Sequence, residues 1–216
     1  MSIYRFSVAI LLFAGISGCT SSGQGRSEKR AESMKEYRAG LEKGSQQIET
    51  TLTALDAVVT AAAADPRPAY KNFKTQLALL DDDASNAASN SEALRARTQE
   101  YLDKWEEETA KGVKNPQIAK INEQQRADAK KKFEALRDEA QKTRDLYKEF
   151  SRNLHEIDQT LENNLNKTGI EAMNPVVRES KAQGKRVQAG IASIIGELKK
   201  IQDAFVPPQA PPPANT

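Results

Sequence analysis

One cysteine, one histidine and one run of three aspartates are the residues of this 216-residue chain whose chemistry could reach beyond packing. Asp81-Asp82-Asp83 offers carboxylate oxygens of the kind a hard cation takes, but a calcium site needs oxygens converging from a turned loop. An apolar stripe runs straight through these positions, so the three carboxylates fan around a helix and read as a solvated face. His155, the only histidine, stands beside Leu154 on a predicted helix and reads as a surface or boundary residue. One histidine and one cysteine make neither a zinc cluster nor a histidine-dependent triad. No glycine-rich phosphate loop occurs. The expectation is a non-enzyme with no catalytic residue, no metal and no cofactor.

Cys19 is different, because what precedes it is patterned. Arg5 is followed by the apolar run "FSVAILLFAGI" and then by small residues, the order of a secretory signal peptide. The run is about half the length that spans a bilayer. Ile16-Ser17-Gly18-Cys19 resembles the bacterial lipobox. That resemblance implies a diacylglyceryl group on the thiol, cleavage after Gly18 and acylation of the new amino terminus. One acyl chain holds a protein to a membrane only marginally, and two or three hold it stably. Thr20 stands where an aspartate would argue for retention in the inner membrane, so the expected address is the periplasmic face of the outer membrane. With no second cysteine, no intrachain disulfide is expected.

Two surfaces are candidates for partners. Trp105 followed by Glu106, Glu107 and Glu108 makes an amphipathic patch, although an aromatic on a seam is ordinarily core. Arg178, Lys181, Lys185 and Arg186 make a basic band suited to anionic headgroups or wall carboxylates, or to the acidic first half of the chain. The proline-rich end, "PPQAPPPANT", suits extended polyproline II. Its last residue, Thr216, is not the lysine that covalent attachment to peptidoglycan would need.

Charge separates by halves. Residues 20–112 carry 13 Lys/Arg against 16 Asp/Glu, and residues 113–206 carry 18 against 14. Two opposite-signed halves folding together explain this without nucleic acid, whose binders show a strong basic excess.

These residues must be carried by helices. Ala, Glu, Lys, Leu, Gln and Arg dominate, aromatics are few, and apolar residues recur every three or four positions. Met34, Leu41, Ile48, Leu55 and Ala62 define the first stripe. Tyr70, Phe73, Leu77, Leu80, Ala84, Ala87, Ser91, Leu94, Thr98, Tyr101 and Trp105 define the second. A third runs from Phe133 to Leu161, after a stutter through Ile121, Gln125 and Ala129. A fourth runs from Val177 to Phe205. Breaks fall at "DPRP" (65–68), at "KGVKNP" with Gly112 as C-cap and Asn115 as N-cap, and at 163–175. In this last break "NNLNKTG" reads as a fray, Thr168-x-x-Glu171 as a capping box and Asn174-Pro175 as a further start. Helices of about 38, 44, 50 and 30 residues follow. The small residues at 84–91 and at 180–184 predict two weakly packed levels. The expected fold is all-α, an elongated antiparallel helical bundle or coiled coil of three to four long helices. It divides into a signal peptide (1–18), a lipidated cysteine with a flexible spacer (19–26), a bundle (27–206) and a disordered tail (207–216).

The stretches "YLDKWEEE" (101–108), "FEALRDEAQKTRDLYKEF" (133–150) and "NNLNKTGIEAM" (163–173) resemble a family of uncharacterised bacterial lipoproteins and secreted proteins, defined only as a domain of unknown function. The resemblance implies an all-helical envelope protein and carries no active site. The functional expectation is a lipid-anchored spacer or scaffold, monomeric or weakly self-associating. It would touch the membrane through Cys19 and engage envelope proteins or peptidoglycan. The alternative is a chaperone-like or ligand-binding helical module.

Overall fold

The computed structural model describes residues 23–205, with side-chain environments from 29 to 202. The signal peptide, the lipobox residues Ile16, Ser17 and Gly18, the acceptor Cys19 and the tail 207–216 lie outside the described residues. Among those described there is no strand, and no helix is long and apolar enough to cross a membrane.

Four long helices and one short one form an antiparallel bundle. They are α1 (Gly23–Thr60), α2 (Arg67–Gly112), α3 (Pro116–Asn163), α4 (Lys167–Ala172) and α5 (Asn174–Phe205). The long helices have 38, 46, 48 and 32 residues, close to the lengths expected from the stripes. Met34, Leu41, Ile48 and Leu55 are all buried, and so are Phe73, Leu77, Leu80 and Leu94 of α2. Opposite them lie Phe150, Leu154, Ile157 and Leu161 of α3 and Val187, Ile191, Ile194 and Leu198 of α5. Each large aliphatic or aromatic side chain removed from water contributes roughly 1.5–3 kcal/mol, and the stripes make that burial continuous along the rod.

The turns follow from their own chemistry. At the α1–α2 turn, Asp65 accepts the Arg67 backbone N–H and pairs with its guanidinium at 2.7 Å, while Pro66 and Pro68 prevent α1 from continuing. Asn115 caps α3, its side chain accepting from the N–H groups of Gln117 and Ile118 at 2.9 and 3.4 Å. Gly112 is the last helical residue and not the cap, because Val113 makes the closing bond to the Thr109 carbonyl. The expected fray is a single turn of helix, α4, capped by Asn166, whose side chain accepts from the Gly169 N–H at 3.0 Å. Thr168 lies inside that turn, so the expected Thr168/Glu171 capping box does not form. Helix α1 begins at Gly23, inside the expected flexible spacer.

Around the bundle α1 neighbours α2 and α5, and α3 neighbours α5 and α2. The chain therefore passes up, down, up and down. The start of α1, the α2–α3 turn and the end of α5 share one end of the rod. Arg30 marks that end of the core. It is buried, with its guanidinium 3.9 Å from the Tyr101 ring centre and 6.0 Å from that of Phe133. The α2–α3 turn projects past the core and bears Ile118 and Ile121, 50% and 54% exposed. The seam is lost there because the stutter turns Ile121 and Gln125 outward, and it closes again at buried Ala129.

Candidate functional site

Helices α1 and α2 pack closely, whereas α2 and α3 meet less closely and largely through polar rungs. The Tyr70 hydroxyl donates to the Asp158 carboxylate at 2.9 Å, Lys74 pairs with Glu162 at 3.1 Å, and His155 faces Asp81 at 3.1 Å. The Tyr147 hydroxyl reaches the Leu80 carbonyl at 3.4 Å. Past the last of these rungs, toward the α2–α3 turn, a cleft between α2 and α3 opens into the middle of the bundle.

The cleft leads to a cavity of about 350 Å³ at the level of residues 84–91. Small residues on three helices face one another there: Gly40 and Gly44 on α1, Ala84, Ala87 and Ala88 on α2, and Ala140 on α3. A Cβ at Gly44 would meet nothing within 4 Å. Leu41, Ile48, Leu80, Val187, Ile191 and Ile194 complete apolar walls. A second cavity of about 210 Å³ continues along the α2–α3 cleft and shares Tyr37, Ser91, Ala140 and Arg144 with the first.

The polar groups of the first cavity are mostly engaged. Asp83 is only 5% exposed and pairs with Lys43 at 2.6 Å, so it does not belong to the solvated face expected of the aspartate run. Leu80, Asp83 and Ala87 share a helix face, which carries the last carboxylate of the run inward. Thr143 donates to the Glu139 carbonyl at 3.0 Å. Burial raises the Tyr37 hydroxyl above its ordinary pKa, although Ser91 beside it and Arg144 act the other way. Burial, reinforced by the charge of Asp81, pushes Tyr147 up to about 12. Burial and the Asp158 hydrogen bond raise Tyr70 likewise. At the junction of the two cavities Arg144 is exposed and enters no hydrogen bond or ion pair among the described residues. In the second cavity Thr98 is 6% exposed and its hydroxyl has no partner.

The other sequence candidates are placed elsewhere. Trp105 is half-buried near the α2–α3 turn, tilted against Tyr101 with ring centres 5.6 Å apart, and its Nε1 donates to Asn122 at 3.4 Å. Glu106 pairs with Arg126 across to α3 at 3.4 Å, and Glu107 pairs with Lys111; Glu108 is exposed. In the basic band Lys181 reaches Asp56 of α1 at 2.6 Å and Arg186 reaches Glu179 at 2.8 Å, while Arg178 and Lys185 face solvent. The band runs along α5, well away from Trp105. His155 is exposed beside Asp81. Among the described residues no group of three His, Cys, Asp or Glu side chains is placed to hold a metal ion.

The two levels expected to pack weakly behave differently. The one at 84–91 is the cavity. The one at 180–184 is closed: a Cβ on Gly184 would lie 2.8 Å from Leu52 and 3.3 Å from both Ile48 and Phe150. Six residues on, Gly190 lies so close to Thr143 that a Cβ would collide with it. Gly40, Gly44 and Arg144 escaped the sequence reading, although the Gly-x-x-x-Gly spacing of the glycines, one turn apart on α1, was a visible signal.

No family model, no curated protein and no solved structure matches this chain.

Proposed function

We propose that this chain is a non-enzymatic cell-envelope lipoprotein, a helical scaffold tethered through Cys19 to the periplasmic face of the outer membrane. The observation that carries this reading is the position of the foot. Helix α1 starts four residues after Cys19, on the rod end that also bears the α2–α3 turn. Between residues 109 and 122 that turn has three lysines, no acidic residue and the exposed pair Ile118 and Ile121, a composition compatible with an anionic lipid surface. The opposite end, formed by the α1–α2 turn and α4, then points into the periplasm toward envelope proteins or peptidoglycan. The resemblance to bacterial lipoproteins supports the same reading.

Replacement of Cys19 by serine tests it. The variant should leave the membrane fraction, whereas continued membrane association after carbonate washing would refute the tether. Cross-linking in intact cells followed by mass spectrometry identifies what the far end touches.

The mid-bundle cavity favours a second reading, a ligand-binding helical module. The two are compatible, since a tethered rod can also carry a ligand.

A further inference from the structure

From the paired cavities we infer that this chain binds a single-chain amphiphile with an anionic head, its tail in the mid-bundle cavity and its head in the α2–α3 cleft at Arg144. The inference rests on the ligand-binding reading and is independent of the lipid anchor on Cys19.

Three observations select this ligand. First, the inner cavity offers water little. Its walls are mostly apolar, the Tyr147 and Thr143 hydroxyls bond to backbone carbonyls, the Tyr37 and Ser91 hydroxyls bond to each other, and Asp83 is neutralised by Lys43. A buried water needs two to four polar partners, whereas an alkyl tail needs none. At about 350 Å³ the space lies within the range of small-molecule sites. Second, the mouth is cationic. Arg144 is the one cation lining the inner cavity, and its guanidinium is unengaged where that cavity joins the outer one. A planar guanidinium matches a carboxylate or phosphate with two parallel hydrogen bonds. Third, the outer cavity is built for a polar group. Its rim carries Arg95, paired with Glu92, and Arg137, paired with Asp138, together with Lys130 and Glu134, and the buried Thr98 hydroxyl in its wall has no protein partner. A buried hydroxyl without a partner is costly, and a head group supplies one. Two adjoining cavities, one mostly apolar and one with charged residues on its rim, suit one tail with one head.

Two sources share this chemistry, a free fatty acid and a lysophospholipid. The test uses a chain beginning at Thr20, which keeps every residue that is buried among the described ones, from Arg30 to Ile201. Titration with dansyl-labelled undecanoate should give saturable fluorescence enhancement at one probe per chain. Laurate and lysophosphatidate should displace it, and whichever competes more strongly identifies the source. Dodecanol, with no charge, should compete about tenfold less well, and Arg144→Gln should weaken probe binding by a similar factor while Arg144→Lys restores most of it. Ala87→Leu fills the inner cavity and should abolish binding without lowering the melting temperature, which separates a blocked site from an unfolded chain. Non-saturable binding, binding unchanged in Ala87→Leu, or equal competition by dodecanol and laurate would each overturn the proposal. Membrane release of Cys19→Ser is scored separately, so loss of either reading leaves the other standing.

Discussion

Residues 84–91 of α2 and 180–184 of α5 look alike in sequence, each a run of small residues on an otherwise apolar stripe, yet they pack in opposite ways. Gly184 is met by large neighbours: Leu52 and Ile48 from α1 and Phe150 from α3 fill the space it leaves. Ala84 and Ala87 are met by Gly40, Gly44 and Ala140, so small faces small and a cavity results. A small residue thus does not determine packing density by itself. What stands across from it decides whether the backbones close up or a void opens, since interiors are otherwise filled to the density of organic crystals.

The contrast is sharpest where bulk is added. Gly184→Leu should cost about 3 kcal/mol and lower the melting temperature by roughly 6–12 °C, because the level is closed and the intruding carbons force Phe150 and Leu52 aside. If it melted like the parent chain, the tight level would not be tight. Alkali should act next most strongly, and at the loose level through Tyr37 and Tyr147 as well as through Tyr70 beyond it. Unfolded tyrosines ionise near pH 10, while burial holds Tyr147 protonated to about 12 and shifts the other two the same way. The unfolded chain therefore binds fewer protons between these values. The stability from this source is intact below pH 10 and is lost as pH rises toward 12. Thermal melts at pH 8 and pH 11 should show it, and Tyr147→Phe should reduce the difference; an unchanged difference would assign the alkaline loss to other groups.

Lys43→Met leaves the buried Asp83 carboxylate without its cation and should cost about 1–2 kcal/mol by urea unfolding. No change would mean that water reaches Asp83 and that the inner cavity is wetter than its walls suggest. The smallest effect should have the opposite sign. Ala87→Leu should stabilise by about 0.5–2 kcal/mol, the usual return for filling a void. Destabilisation on the scale of Gly184→Leu would erase the difference between the two levels.

Much of the architecture was legible because the stripes are regular. Three- and four-residue spacing gave the long helices and their lengths within two residues, and Pro66, Pro68 and Asn115-Pro116 gave the turns. The cavity was half legible. The alanines of α2 announced a thin level, but periodicity along one helix does not say which residues of the other three stand opposite. Gly40, Gly44 and Ala140 became partners of Ala84 and Ala87 only through the register of assembly. Asp83 was misread for a related reason: taken with Asp81 and Asp82 it looked like a charged surface, whereas its spacing from Leu80 and Ala87 already placed it inside. Arg144 carried no local signal, since nothing about an arginine on a helix says that a cleft will open beside it.

An even number of long strokes has a consequence for reach. A polypeptide that climbs and descends twice finishes at the altitude where it set out, so Phe205 comes back beside the level of Gly23. Whatever follows Phe205 departs from the base, not the summit. The summit is then made of connections alone, the prolines between the first two rods and the single turn before the last, and any contact made at full height has to be made by those short links.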